Sequence, residues 1–354
     1  MTLQVRPIRH VRLTAAICTR DRIRELQRAL SSLVAQEEPP DEILVIENAP
    51  RDAHTRTLVE RHFSGVRPGV RPTGRPVVRY IAEPVPGLDF ARNRALAEAT
   101  GEVLAFLDDD AVADPGWAGA LRRPFVDLEV GAATGRVEAL STETAGQRLV
   151  EANGGYSRGR RRIRLPEDAH LPLHGHPAPR IAWAVSVGSG CSLAVRVELL
   201  RRIGGFDEAL DLGSELPGGG DHDALWRVLE AGSSVVYEPS ALARHEHRRD
   251  LEAARRQIVG HQRALVAFLV KSLHHSRGRR RVGILFFLLW RLGKPAVRLI
   301  RRATGRDPLP VPVLLRMLAD CWAGLWAYPL ARRTAARRRS RFYPPPWSAS
   351  PDPS

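Results

Sequence analysis

Lysine is nearly missing from this chain: of 54 basic residues only Lys271 and Lys294 are lysines. The arginine bias reads as the mark of a GC-rich genome rather than of a function. Cysteine is scarce as well, with Cys18, Cys191 and Cys321 far apart and odd in number. That excludes a disulfide scaffold and a paired Cys-x-x-Cys zinc or redox motif, and it predicts a reducing compartment. Near the N-terminus the sequence offers only the short, largely apolar run Leu13–Cys18, so no export signal is expected. The run Val282–Trp290 has nine apolar or glycine residues, against the ~20 that a bilayer-spanning helix needs.

What is present suffices for a large core, since 44% of the 354 residues are hydrophobic and 26% charged. The length predicts about two domains, or one domain with an extension. The net charge of +15 is unevenly placed. Residues 277–354 hold 16 arginines and one lysine against three aspartates, a net +14, so residues 1–276 carry only +1. The chain reads as a nearly neutral body with a basic tail.

The body alternates strand-length and helix-length segments. Leu13–Cys18, Ile43–Ile46, Val77–Ile81 and Val103–Leu107 are short apolar runs. Between the first two, Ile23, Leu26, Leu30, Leu33 and Val34 share one helical face, with Thr19 or Asp21 as the expected cap. Phe90–Ala99 is a second helix, ended by Gly101. Such alternation predicts an α/β fold with a mostly parallel central sheet flanked by helices. Ligands in these sheets sit at the carboxyl ends of the strands, so the polar residues there are the ones to inspect.

Those residues are Thr19-Arg20-Asp21, Glu47-Asn48 and Asp108-Asp109-Asp110. Three successive aspartates repel one another unless a cation offsets the charge. Hard carboxylate oxygens suit Mg²⁺ or Mn²⁺. Farther on, Gly218-Gly219-Gly220-Asp221-His222-Asp223 opens a helix over Ala224–Ala231, where carboxylates are favoured. Val235–Tyr237 follows as a strand, and then His245-Glu246-His247. His245 is a candidate third metal ligand with Asp108 and Asp110. His247 reads as an exposed histidine in a basic stretch.

The order TRDR (19–22), ILVIEN (43–48), GLDFARNRAL (87–96), AFLDDD (105–110), DPGW (114–117), GGFDE (204–208), GGGDHD (218–223) and H-x-H (245–247) resembles the family 2 glycosyltransferases of the GT-A fold over residues 11–250. The resemblance implies a nucleotide-diphosphate-sugar donor held by Thr19, Arg20, Glu47, Asn48, Arg92, Asn93, Asp108 and Asp109. It implies a cation at the outer aspartates, Asp108 and Asp110, and a catalytic base at Asp221, with Asp223 as the second choice. Two positions depart from the pattern. The second strand ends in Glu47-Asn48 where Asp-Asn is usual, and Gly220 stands where a glutamate normally precedes the base.

The chemistry agrees with that resemblance. A departing diphosphate gains charge, which a cation and an arginine can offset. An attacking hydroxyl must lose its proton to a carboxylate within hydrogen-bond reach. Direct attack opposite the leaving group inverts the sugar carbon. Nucleotidyl transfer uses the same kind of metal cluster, but it normally begins with a glycine-rich phosphate loop where this chain has Thr19-Arg20-Asp21-Arg22.

Residues 141–180 read as an irregular acceptor-side insertion. They hold Gly154-Gly155, the basic run Arg158–Arg162 and His170, His174 and His176. The basic run reads either as a mobile solvated loop or as a surface facing an anionic acceptor such as a lipid-linked diphosphate; the expected acceptor is a glycan or a lipid-linked molecule. Trp226 is expected in the core, and GGFDE as a turn after a helix. Residues 1–250 form the expected catalytic domain. Residues 251–341 form a basic extension of short amphipathic helices, and 342–354 a disordered proline-rich tail. Apolar stretches with Trp322 and Trp326, flanked by arginines, suit in-plane attachment to an anionic membrane. The expected location is cytoplasmic, peripheral on the inner face of the plasma membrane. A +14 tail also suits nucleic acid. Here, however, the arginines are interleaved with Leu, Phe and Trp runs, so no nucleic acid is expected.

Overall fold

The computed structural model describes residues 9–63, 76–170, 173 and 178–343. The first part alternates as its apolar runs predict. The elements are β1 (Leu13–Thr19), α1 (Ile23–Val34), β2 (Glu42–Asn48), α2 (His54–His62), β3 (Val77–Glu83), α3 (Leu88–Glu98) and β4 (Val103–Leu107). There follow β5 (Ala111–Ala113), α4 (Trp117–Arg122), β6 (Val130–Ala139), α5 (Ala145–Ala152), β7 (Ile163–Leu165) and α6 (Arg180–Val187). Next come β8 (Ser192–Arg196), α7 (Val197–Arg202), α8 (Gly220–Glu230) and β9 (Ser234–His245). Three long helices end the described chain: α9 (Leu251–His275), α10 (Gly278–Ala303) and α11 (Val311–Phe342).

The strands form one sheet in the order β3-β2-β1-β4-β8-β6-β9-β5, with β7 also paired to β9. β3, β2, β1 and β4 are mutually parallel, and β6 is parallel to β9. β8 runs antiparallel between β4 and β6. Six strands therefore point one way. Apolar alternation serves both faces, because successive strand side chains point to opposite sides. Leu13, Ala15 and Ile17 of β1 join one core with α1 and α4. Ala16 joins Leu44, Ile46, Leu104 and Phe106 in the other, against α3, α7 and α8.

The structure differs from the sequence reading in several places. Neither Thr19 nor Asp21 caps α1; the cap position is Arg22, without a side-chain bond. β6 and β8 were not expected: β6 is VGAATGRVEA, whose small residues mask the strand pattern. β9 extends Val235–Tyr237 to twelve residues. The 141–180 segment is not wholly irregular. It carries α5, opened by a capping box between Thr144 and Gln147, and the short strand β7. His170 is exposed, while His174, His176 and the tail from 344 lie outside the described residues.

The C-terminal helices are longer than expected. α10 and α11 have 26 and 32 residues and run through Pro295 and Pro329. Their inner faces share cores with the body. Val85, Phe90, Leu210 and Leu216 pack with Ala264, Tyr328 and Ala335. Trp226 is buried against α9 and α10, as expected. Lys271 of α9 lies 2.6 Å from Asp207 and 2.7 Å from Asp223. Among the described residues no helix is long and apolar enough to cross a membrane.

Candidate active site

Parallel strands deliver their carboxyl ends to one edge of the sheet, which here places Thr19, Asn48, Asp108 and His245 together. β8, running the other way, brings the loop before it, Gly188–Cys191, to the same edge. A cleft of about 1200 Å³ opens there, walled on the far side by α9 through Arg256, Gln257, His261 and Arg263.

Asp108, Asp110 and His245 each offer a ligand atom, all within 4.8 Å of one another. A strand pairing explains the meeting. β5 starts directly after the aspartates, and its Ala111 pairs with His245 at the end of β9. The Glu246 amide then donates to the Asp110 carbonyl at 2.8 Å. His245 Nε2 lies 3.1 Å from Asp110 Oδ1. Two carboxylates and an imidazole form a donor set that fits Mg²⁺ or Mn²⁺.

Burial, reinforced by the neighbouring Asp110 charge, pushes Asp108 up to about 6. Burial acts the same way on Asp110, but His245, Arg22 and Arg248 outweigh it and hold that carboxyl below the usual range. Burial alone would lower His245; the Asp110 and Asp108 charges reverse the direction and raise it.

Asp221 sits in the first turn of α8 and lines the same cleft. Its Oδ2 accepts from the Gly190 amide and its Oδ1 from the His222 amide, both at 2.8 Å. Burial would raise its pKa, but His222, Arg92 and the two amides hold it below the usual range. Arg92 is buried beside it and donates to Asp89 at 2.8 Å and Asp211 at 3.2 Å. A fixed guanidinium thus stands between Asp89 of α3, Asp211 of the loop before α8 and the start of α8.

The other residues singled out divide into two groups. Arg20 lines the cleft, and Thr19 lines it while donating its hydroxyl to Asp109 at 2.8 Å. Asn48 also lines it, though its amide is engaged with Val85 and Gly87. Asp109 accepts from Thr19 and from Arg22, which also donates to Asp110 at 2.7 Å. The structure does not bring Glu47, Asn93 or Asp223 to the cleft wall. Glu47 is buried and accepts from Tyr80 at 2.6 Å. Asn93 clamps the turn after α7 through Phe206 and Glu208. Asp223 is held between Lys271 and Arg227 at 2.7 Å each.

Asp211, which lines the cleft, and Asp89 and His247, buried behind it, escaped the sequence reading. Asp89 carried a signal, a carboxylate three residues before Arg92 in the first turn of a helix. Asp211 carried none: it stands in an irregular loop with φ of 52° and accepts from the Gly220 amide at 2.9 Å. His247, expected to be exposed, is 1% exposed.

A family model described as Glycosyl transferase family 2 matches residues 14–204, just over half of the 354 residues. The chain belongs to glycosyl transferase family 2. The matched span of this family 2 member runs from β1 through α7 and includes Arg92 and Asp108–Asp110; Asp221 and His245 lie beyond it. Pre-mycofactocin glycosyltransferase of Mycobacterium tuberculosis is 30% identical over 262 residues, 70% of this chain and 51% of its own length. The chain therefore spans about half the length of those relatives. Succinoglycan biosynthesis protein ExoM of Rhizobium meliloti is 28% identical over 240 residues, 66% of this chain and 67% of its own. Among solved structures, mannosyltransferase PcManGT from Pyrobaculum calidifontis, in complex with GDP-Man and Mn²⁺, superposes with a TM-score of 0.54. That match covers 97% of this chain and 79% of the other at 18% identity, a likeness of fold, the GT-A arrangement.

Proposed function

We propose that this chain is an inverting, metal-dependent sugar transferase that moves a sugar from a nucleoside-diphosphate donor to a hydroxyl acceptor. One observation carries the reading: the Asp108–Asp110–His245 donor set and the Asp221 carboxylate open into a single cleft. Asp108, Asp110 and His245 would hold Mg²⁺ or Mn²⁺, which supplies positive charge to the donor's diphosphate. Thr19, Arg20 and Asn48 are proposed to line the nucleotide. Glu47 and Asn93 are proposed to act from behind, by holding Tyr80 and the Phe206 turn. Asp109 orders Arg22 and Thr19. Arg92 is proposed to offset charge on the leaving diphosphate.

Asp221 is proposed as the base. Both its oxygens are oriented by amides, and its lowered pKa keeps it ionised at neutral pH. Asp223, neutralised by Lys271 and Arg227, is proposed to fix α8 rather than to take the proton.

An anionic acceptor is supported by two arginines. Arg158 and Arg256 line the cleft and, among the described residues, have no carboxylate within 4.0 Å. The Arg158 side chain donates to the carbonyls of Gly155 and Ser157. A half-buried cation with that environment favours a phosphate or carboxylate on the incoming molecule.

The extension at 251–342 is proposed to lie on an anionic membrane that carries such an acceptor. Seventeen large apolar residues are exposed among those described, and thirteen of them lie on α10 and α11. Val282, Phe286, Leu289, Val297 and Ile300 recur at helical spacing on one face of α10, and Leu315, Trp322, Trp326 and Leu330 on one face of α11.

The test is a panel of nucleotide sugars with Mn²⁺ or Mg²⁺, scored for release of nucleoside diphosphate, then repeated with membrane lipid extracts as acceptors. Metal-dependent release that rises with the extract is expected. Release of pyrophosphate instead would overturn sugar transfer in favour of nucleotidyl transfer.

A further inference from the structure

We propose that His247 and Glu151 form a positioning chain that presents His245 as a neutral ligand, its Nε2 lone pair turned to the cation. The inference rests on the metal reading of Asp108, Asp110 and His245. It gives a task to two features which that reading leaves unused, the second histidine of His245-Glu246-His247 and Gly155 of the Gly154-Gly155 pair.

His245 shows its Nε2 edge to the aspartates and its Nδ1 edge to His247, with 3.0 Å between the two Nδ1 atoms. Two nitrogens at that distance share one proton, so one donates and the other accepts. His247 Nε2 in turn lies 2.8 Å from Glu151 Oε1.

An ionised carboxylate only accepts, so Glu151 fixes the proton of His247 on Nε2. Nδ1 of His247 is then a bare acceptor, which fixes the proton of His245 on Nδ1. Nε2 of His245 is left with its lone pair free. With the reverse polarity, the lone pair of His247 would face the carboxylate, and a proton on His245 Nε2 would block a cation. Such partners behind a metal-bound histidine orient its ring and set its tautomer.

The surroundings hold the chain in place. His247 is two residues beyond His245, and the Tyr156 ring meets both imidazoles edge-on at 5.3 and 5.2 Å between centroids. Both histidines are buried. Glu151 reaches His247 from α5 because residue 155 is glycine. A Cβ there would fall 2.5 Å from Glu151 Oε1, and the backbone has φ of +52°. The insertion thus contributes the carboxylate that ends the chain.

The test uses the full 354-residue chain and Mn²⁺ alone, with free Mn²⁺ followed by electron paramagnetic resonance. His247→Phe and Glu151→Ala should each weaken Mn²⁺ binding roughly 10- to 100-fold. Glu151→Gln, whose amide oxygen still accepts, should stay within a few-fold of wild type. Wild-type affinity in His247→Phe overturns the proposal. Histidine-selective ¹⁵N NMR of the wild type with saturating Mg²⁺ keeps the question open to test if a variant fails to fold. His247 should carry its proton on Nε2, and the opposite tautomer overturns the chain. A wild-type protein that binds neither Mn²⁺ nor Mg²⁺ overturns the metal reading itself, and this inference with it.

Discussion

The carboxylate of Asp89 occupies the space that a side chain at residue 220 would need: a Cβ built on Gly220 falls 2.0 Å from Asp89 Oδ2. Gly220 is thus the residue that lets α8 start against α3, and Asp221 is placed by that approach. Gly220→Ala should destabilise the protein by ~1–3 kcal/mol through overpacking. Adding Asp89→Ala removes the obstructing oxygens, so the double variant should lose less than the sum of the singles, with a coupling of about 1 kcal/mol or more. Urea denaturation of the four proteins measures this; additive losses would show that the two residues do not compete for space.

Asp221 and Asp110 should fail in different ways. Asp221→Asn keeps the shape but removes the proposed proton acceptor, and turnover should fall ~10²–10⁴-fold while nucleoside diphosphate still binds in the presence of Mn²⁺. Asp110→Ala removes one of the proposed ligands of the cation, so calorimetry should show weaker binding of the nucleotide with metal, as should chelation of the wild type. Near-normal turnover in Asp221→Asn would exclude it as the base. Unchanged titration of Asp110→Ala would exclude it as a ligand.

Much of this site was legible because an apolar strand followed by polar residues marks the functional edge of a parallel sheet. β1, β2 and β4 are buried on both faces and read as short continuous runs, so Thr19, Asn48 and the aspartates stood out at their ends. His245 was less legible because β9 continues through Pro239 and Ser240, with a register shift against β6, which hides its last residues as strand. Glu47 and Asn93 stand at motif positions, yet their bonds to Tyr80 and the Phe206 turn depend on long-range packing. Asp211 depends on a loop conformation, and Glu151 on a glycine that admits it. Neither leaves a periodic trace.

Lys271 bridges Asp207 and Asp223 and ties α9 to the body. Breaking a buried ion pair by removing one partner costs ~3–5 kcal/mol, so Lys271→Met should be strongly destabilised at neutral pH. The effect has a pH sign. Burial would raise Asp207, but Lys271, with help from Tyr328 and the Ala209 amide, outweighs it and depresses the native pKa. Stability from this group is therefore complete above the unfolded aspartate value of ~3.9 and is lost as pH falls through the lower native value. Unfolding free energy of the wild type should drop over that acidic window, and the drop should be shallower in Lys271→Met. Parallel curves for the two proteins would separate Asp207 from the acid response.

The outer faces of α10 and α11 give the last prediction. Trp322 and Trp326 are 56% and 73% exposed on one face of a helix whose inner face is packed on the body. Exposed Arg332 and Arg333 follow on the same helix. Apolar side chains inserted at a headgroup boundary and arginines near anionic lipid act together, and each arginine contributes ~1 kcal/mol. Sedimentation with vesicles of mixed neutral and anionic phospholipid should therefore retain the protein, and vesicles of neutral lipid alone should retain far less. Arg332→Gln with Arg333→Gln should weaken anionic binding by ~2 kcal/mol, roughly 30-fold. Trp322→Ala with Trp326→Ala should weaken binding to both kinds of vesicle, because the loss is apolar. Salt should relieve the arginine effect and leave the tryptophan effect in place, since screening acts on charge alone. Equal recovery of all variants with anionic vesicles would mean that these faces meet something other than lipid.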